Sequence, residues 1–292
     1  MSDFKNIFEE FFSKKYNLSS VFLNKLGAPV LRNILKNFLI KLRRYKNHKP
    51  KNDFELELVK NGIITIPNFL PNNDFEDLKK EFKFLISQKK NEDRVQNVKI
   101  IKIKNHEFDQ YPAMNKLRNN DKLKSLICAG EGLRLKQFKI QNFIIENTKF
   151  GTKEQQKQDC NSFYHADVHF HSHKVLYYMS DVTEDHGPFT YLKKTHKNNF
   201  ARLLYEFKRA RLPNASDKGW RIEKNLGINF LKKYFKKLLK NEYKAVGLAN
   251  TLVIANVHGF HKIGNALIEK ERELIRIPFR HNPFEFLIKI KK

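Results

Sequence analysis

Hydrophobic positions fall into two regimes along the chain, helical spacing near the N-terminal end and short strand-like runs over most of the remainder. Phe4, Ile7, Phe8, Phe11 and Phe12 recur at one helical face and predict a first helix; Val30, Leu31, Ile34, Leu35, Phe38, Leu39 and Leu42 predict a second. Pro29 suits the start of that second helix, where a backbone N–H would have no intrahelical acceptor. Its other face carries Arg32, Lys36, Lys41, Arg43 and Arg44. The expected arrangement packs the apolar stripe on the body of the protein and leaves the basic face in water. The same basic helix would also suit peripheral contact with an anionic membrane surface or with acidic partners. Residues 46–51, with Pro50, read as a connector, which makes residues 1–52 a basic helical N-terminal extension.

Beyond Asn61 the pattern changes. Residues 62–67 predict a short strand, and Asn73 or Asp74 can cap a helix whose apolar face is Phe75, Leu78, Phe82 and Phe84 to Ile86. Strand-like runs follow at 98–103, 135–145, 162–170, 175–182, 189–192, 251–257 and 274–279. Two helical stretches, 200–210 and 228–239, interrupt them and predict a helical insertion at about 197–240. The reading is α+β, with residues 53–292 as one domain.

Composition narrows the class. A chain of 292 residues with 40% hydrophobic and 13% aromatic content has enough apolar surface for a sizeable core, which excludes a fibre, a mini-protein and a largely disordered chain. Lys and Arg number 57 against 31 Asp and Glu, giving +26 and a pI near 9.9. The lysines are spread along nearly the whole length among many Asn, Ile and Phe, so a compositional bias accounts for the excess as well as an anionic partner would. Cys128 and Cys160 are too few for a disulfide framework, and both are expected to be inert thiols of a reducing, cytoplasmic compartment. No stretch approaches the roughly 18 apolar residues that span a bilayer. No glycine-rich phosphate loop occurs, so nucleotide chemistry lacks its usual support.

The informative segment is Ser162-Phe-Tyr-His-Ala-Asp-Val-His-Phe-His-Ser-His-Lys174. In an extended chain alternate side chains share a face, so His165 and Asp167 point to one spot and offer two corners of a metal site. A third ligand is available from residues 250–264, a buried-looking strand that runs into a turn carrying His258 and His261. Two imidazoles and one carboxylate form the facial triad that binds non-heme Fe(II) with positions left open. Arg272, eleven residues after His261, can pair bidentately with a keto-acid carboxylate. Rival assignments exist on the same residues: His258 for His261, and Arg276, which shares strand parity with Arg272. His169, His171 and His173 continue the parity of His165, and read as partly exposed loop histidines, substrate-facing groups or ligands of a second metal.

These motifs together resemble the phytanoyl-CoA dioxygenase family of Fe(II)/2-oxoglutarate oxygenases. Besides HxD, the stretch Lys174 to Tyr191 is similar to that family's strand and turn, with Asp181-Val182 ahead of Gly187-Pro188-Phe189. Thr195-His196-Lys197 is similar to its Gly-Ser-His segment, with Lys194 where glycine is usual. Gly259-Phe260-His261 and Arg272 match the distal histidine and the cosubstrate arginine, and the strand and helix after Gly62 look like the opening of the domain. The likeness spans about residues 55–285 in separated pieces.

The resemblance implies a double-stranded β-helix, a jelly-roll or cupin-like barrel, with N-terminal helices and the helical insertion. It implies His165, Asp167 and His261 as the Fe(II) ligands and Arg272 as the anchor of 2-oxoglutarate. The chemistry implied is oxidative decarboxylation of 2-oxoglutarate with O2, coupled to hydroxylation of a small molecule or carrier-linked group; Asp167 argues against halogenation. The charge permits an anionic substrate, and nucleic acid is not an expected partner. A reading of another class is a basic adaptor for nucleic acid or membrane, acting through residues 32–44 and 232–240 with a catalytically silent barrel.

Overall fold

Both faces of the central strands carry apolar side chains, and both faces are covered. The computed structural model describes residues 9–13, 18–88, 92–93, 97–168, 170–212, 228–279 and 282–284. The described residues form ten strands: β1 (Ile63–Ile66), β2 (Glu92–Asp93), β3 (Asn97–Lys104), β4 (Asn142–Lys149), β5 (His173–Tyr178), β6 (Phe189–Tyr191), β7 (Tyr243–Ala245), β8 (Leu252–Asn256), β9 (His261–Ile263) and β10 (Glu271–Pro278). A seven-stranded antiparallel sheet has the order β1-β8-β5-β10-β4-β3-β2, and a three-stranded one the order β7-β6-β9.

Alternation along β5 shows how the layers form. Val175 and Tyr177 join Ile64, Leu252, Ile254, Ile275 and Ile277 in a core shared with helices, whereas Leu176 and Tyr178 join Val253, Ala255 and Leu274 against Phe189 and Tyr191 of the small sheet. A strand buried on both faces reads as a continuous apolar run rather than an alternating one. The two sheets pack face to face, but no ladder joins their edges and no barrel closes among the described residues.

Helices α1 (Val21–Leu26), α2 (Ala28–Asn47), α3 (Asp53–Asn61), α4 (Asn72–Ser87), α5 (Pro112–Asn119), α6 (Asp121–Glu131), α7 (Lys153–Gln158) and α8 (Phe200–Arg209) surround the sheets. Asn52 caps α3 by accepting from the Glu55 N–H at 3.0 Å, and Gly62 closes it in the left-handed region at φ 83. The cap expected for α4 is not used: Pro71 precedes its first turn, with no side-chain capping bond. Helices α5 and α6 are additions to the sequence reading. Glu81 of α4 accepts from the Ala113 and Met114 N–H groups, and Asn120 from Leu123, so α5 is capped by a distant carboxylate.

Two further expectations change, and a third lies largely outside the described residues. The run 135–145 starts as a short 3-10 turn, with strand only from Asn142. Residues 162–170 form no strand; His165 makes one isolated antiparallel bridge with His261. Of the first predicted helix, Phe4, Ile7 and Phe8 lie outside the described residues, while Phe12 packs edge-on against Phe284 with ring centres 4.8 Å apart.

Helix α2 forms where expected, with proline in its first turn, but rotated by half a turn from the expected orientation. Its buried residues are Pro29, Arg32, Asn33, Lys36, Asn37 and Ile40, and the apolar stripe faces outward. Polar partners in the interior account for this. Arg32 donates to the Glu10 carbonyl at 3.0 Å, Lys36 to that of Ser13, and the Lys36 ammonium lies 4.6 Å from the Phe170 ring centre. Asn37 Oδ1 accepts the His171 N–H at 2.7 Å, and Asn33 Oδ1 accepts from Asn198 at 2.7 Å. Arg44 reaches the C-terminal carbonyls of α6 at Ala129 and Gly130.

Candidate metal centre

The segment after α7 turns back across the junction of β8 and β9, where three backbone bonds hold it. His165 and His261 exchange N–H···O=C bonds of 3.0 Å in both directions, and the Asp167 N–H donates to Val257 at 3.0 Å. The HxD segment thereby faces the distal histidine turn, and the ring centres of His165 and His261 lie 4.5 Å apart.

Their tautomers follow from the backbone. His165 Nδ1 donates to the Phe163 carbonyl and His261 Nδ1 to the Gly259 carbonyl, each at 2.9 Å, which leaves both Nε2 lone pairs aimed at one point. Asp167 Oδ1 sits there, 3.3 Å from His165 Nε2 and 3.2 Å from His261 Nε2. The three ligand atoms lie within 4.8 Å of one another. His261 Nε2 is buried and has no hydrogen-bond partner despite that proximity. Unprotonated nitrogens and a carboxylate oxygen converging without hydrogen-bond geometry are a donor set that fits a divalent metal.

The electrostatics keep Asp167 and His261 in ligand form. Burial alone would raise the Asp167 carboxyl; the Lys174 ammonium and the two imidazoles outweigh it and hold it well below the usual carboxylate range. Burial pushes His261 down to about 4 against the pull of Asp167, so its ring is neutral near pH 7. Lys174 Nζ lies 2.8 Å from Asp167 Oδ2 and takes the oxygen that faces away from the histidines. Phe189 stacks on the His261 ring, 5.0 Å between centres at 27°, and provides an apolar wall. Thr195 closes the turn from behind, its hydroxyl accepting the Phe260 N–H at 2.9 Å while donating to Leu192.

A cleft of about 580 Å³ opens beside this cluster, lined among others by His165, His261, Lys174, Phe189, Arg272 and Arg276. Arg272, 5% exposed, donates to the Gly187 carbonyl and lies 3.8 Å from Glu146, while its Nε has no partner. Arg276, its parity rival, is paired with Glu146 at 3.1 Å.

The other candidates point elsewhere. His258 is fully buried on the far side of the turn, where Arg202 donates to its Nδ1 at 3.0 Å; burial, with the guanidinium beside it, holds it well below the usual histidine range. His173 is not an exposed loop residue but is buried against Glu131, with 2.8 Å between Nδ1 and Oε1. His171 accepts from the Asn256 amide at 2.9 Å, and His169 lies outside the described residues. Burial pushes the Cys128 thiol up to about 12, in accord with an inert role; the Cys160 side chain lies outside the described residues. Lys174, Phe189 and Thr195 are site residues that the sequence reading missed. The available signal was parity: Lys174 shares the face of Leu176 and Tyr178 on a strand that is apolar from Val175 onward.

A partly buried two-histidine, one-carboxylate cluster at the mouth of an open cleft, on antiparallel sheets, is a donor set that could hold one metal ion and leave positions for other ligands. The sequence model of the phytanoyl-CoA dioxygenase family matches residues 58–225, more than half of the chain, and the protein belongs to that family. It is accordingly a non-heme Fe(II)- and 2-oxoglutarate-dependent oxygenase, and the reading as an adaptor with a silent barrel is not favoured. The matched span includes His165 and Asp167 and ends before His261 and Arg272.

Solved structures similar to this chain include HygX from Streptomyces hygroscopicus with nickel, 2-oxoglutarate and hygromycin B bound, at 14% identity and TM-score 0.47 over 78% of this chain and 87% of that one. The epimerase SnoN of nogalamycin biosynthesis, in complex with Fe3+, alpha ketoglutarate and nogalamycin RO, is 11% identical, with TM-score 0.49 over 80% and 87%. A prolyl hydroxylase from Trichoplax adhaerens, in complex with a hypoxia inducible factor peptide fragment, is 15% identical, with TM-score 0.48 over 87% and 96%. No curated protein sequence matches the chain.

Proposed function

We propose that the protein is a hydroxylase of a small molecule or carrier-linked group, with Fe(II) held by His165 Nε2, Asp167 Oδ1 and His261 Nε2. The observation that carries this is the convergence of those three atoms within 4.8 Å, each histidine oriented by its Nδ1 bond to a backbone carbonyl. When bound, the iron supplies the oxidation of a substrate C–H bond, coupled to decarboxylation of 2-oxoglutarate with O2. The chain's own residues position and exclude. Arg272, with an unpartnered Nε and burial that strengthens any charge pair, binds the far carboxylate of 2-oxoglutarate. Phe189 shields one side of the His261 ring from water.

The same reading takes the two packed sheets as a double-stranded β-helix of residues 53–292, with residues 1–52 as a helical extension. Lys174, Lys262, Arg272 and Arg276 along the cleft favour an anionic small substrate. The buried thiol of Cys128 suits a reducing, cytoplasmic compartment.

Anaerobic addition of Fe(II) and 2-oxoglutarate is expected to give the weak visible charge-transfer absorption of the chelated pair in the wild-type protein and none in Asp167→Ala. Succinate is expected only when iron, 2-oxoglutarate and O2 are all present. An unchanged spectrum in Asp167→Ala removes that residue from the site. Unfolding on chelation would mark the metal as structural.

A further inference from the structure

We infer that α1 and the outward face of α2 form a docking surface for an anionic lipid bilayer. The face is apolar and open to water: Val21, Phe22 and Leu26 on α1 are 63%, 68% and 65% exposed, and Leu31, Phe38 and Tyr45 on α2 are 53%, 56% and 69% exposed. Ile34, Leu35 and Leu42 fill the intervals, so the stripe runs at three- and four-residue spacing along a helix of 20 residues, about 30 Å in length. Monomeric soluble proteins rarely leave a contiguous apolar patch of that extent in water.

Among the described residues α2 is held by its polar side, through Arg32, Asn33, Lys36, Asn37 and Arg44, and not by this face. Charge identifies the occupant. Between Leu18 and His48 there are seven Lys and Arg residues and no Asp or Glu. At 100° per residue Lys41 and Lys46 fall on the two edges of the stripe, both exposed, and Lys25 is exposed beside Leu26. Lys49 lies 4.2 Å over the Tyr45 ring at the end of the helix. An apolar stripe with lysines along both borders is the pattern that lies in the plane of an anionic interface, the lysines reaching the headgroups. A second copy of the chain would set these lysines against one another across a twofold contact in a protein of net charge +26. No described helix is long and apolar enough to cross a membrane, so the helix rests on the surface.

The test is co-sedimentation of the full-length protein with vesicles of pure phosphatidylcholine and of phosphatidylcholine with phosphatidylserine. The expected result is binding to the phosphatidylserine vesicles only, weakened by raised salt. Leu35→Glu/Phe38→Glu is expected to lower the apparent affinity by about tenfold or more, whereas the charge-matched Leu248→Glu/Leu267→Glu, at exposed residues of other loops, keeps at least half of it. Lys41→Glu/Lys46→Glu gives the same loss without touching an apolar side chain. Equal binding to both vesicle types, no binding to either, or full binding by the α2 variants overturns the proposal. A dimer in solution that these substitutions dissociate assigns the face to a second copy and overturns it equally.

Discussion

The backbones of His165 and His261 hydrogen-bond to each other in both directions, so each imidazole is placed by the main chain of the other. The bridge does not depend on either ring. Replacing one ring by a methyl group therefore removes a donor atom and leaves the scaffold in place. His165→Ala and His261→Ala are expected to lower Fe(II) affinity by more than about a hundredfold, the upper end of what loss of an outer partner produces, with nearly unchanged circular dichroism. Titration of the apoprotein with Fe(II) under nitrogen reads the first quantity. Loss of the fold in both variants would mean that the rings, not the bridge, hold the turn.

Lys174 should matter to metal affinity without touching the metal. Its ammonium occupies Asp167 Oδ2 and leaves Oδ1 as the oxygen presented to the two imidazoles. With Lys174→Met the carboxylate is free to rotate and loses its main cationic neighbour. Metal affinity is expected to fall about 10- to 100-fold, the usual effect of removing an outer partner. Lys174→Arg should restore part of it. Identical affinities in wild type and Lys174→Met would show that the pair serves packing alone.

Beneath α2 lies a set of histidines kept neutral by the fold, and its consequence is a pH dependence of stability. Burial pushes His196 down to about 3 from an ordinary 6.5, and holds His171, with His196 beside it, well below the usual range. A depressed folded-state value means that the unfolded chain binds more protons between pH 6.5 and 3. Stability is therefore full above pH 6.5 and is lost as the pH falls through that window. For His196 alone the loss between pH 7 and pH 5 is about 2 kcal/mol. Urea unfolding at the two pH values should show this loss, reduced by that amount in His196→Gln, whose amide can still donate to the Val59 carbonyl as His196 does. An equal loss in the variant would exclude His196 as its source.

The family's usual glycine at position 194 has a conformational meaning in this chain. Lys194 is exposed and sits in the left-handed region at φ 69, while its N–H donates to the Asn61 carbonyl at 2.9 Å. A side chain there costs about 1–2 kcal/mol, and glycine gives back about 0.4–1 kcal/mol through the unfolded state. Lys194→Gly is expected to stabilise the protein by about 0.5–1 kcal/mol, seen as a higher urea midpoint at constant slope. A lower midpoint would mean that the lysine side chain itself contributes.

Much of this was legible in the sequence, for reasons that local residues supply. Strands β5 and β8 are buried on both faces and so carry unbroken apolar runs, Val175 to Tyr178 and Leu252 to Ala255, and the His165, Asp167, His261 and Arg272 pattern has a spacing that chance seldom assembles. What stayed hidden depends on partners far away in the chain. Amphipathicity told that α2 has two faces, but which one is buried was decided by Glu10, Asn198 and His171. Helices α5 and α6 carry Met114, Leu117, Leu123, Leu126 and Ile127 among many Lys and Asn, and the carboxylate that caps α5 lies on α4. Lys174 is a lysine like 43 others until Asp167 is folded onto it.

Gly259 ties the packing behind the site to the His261 ring. A Cβ at this position would lie 1.9 Å from the Tyr191 hydroxyl oxygen and 2.5 Å from its ring carbon, and Tyr191 is fully buried, donating to the Asn256 carbonyl at 3.0 Å. The ring has no room to retreat, because Gly62 approaches the same hydroxyl from the other side: a Cβ there would lie 2.4 Å from it. The main chain at 259 must therefore move in any larger variant. That main chain carries the carbonyl which fixes the His261 tautomer. Gly259→Ala is thus expected to lose about 1–3 kcal/mol of stability through overpacking and, in the same variant, to weaken Fe(II) binding. Tyr191→Phe in the Gly259→Ala background removes the clashing oxygen, so partial recovery of both quantities is the expected outcome. Recovery of stability without recovery of metal binding would show that the shift of the carbonyl, rather than the clash, controls His261.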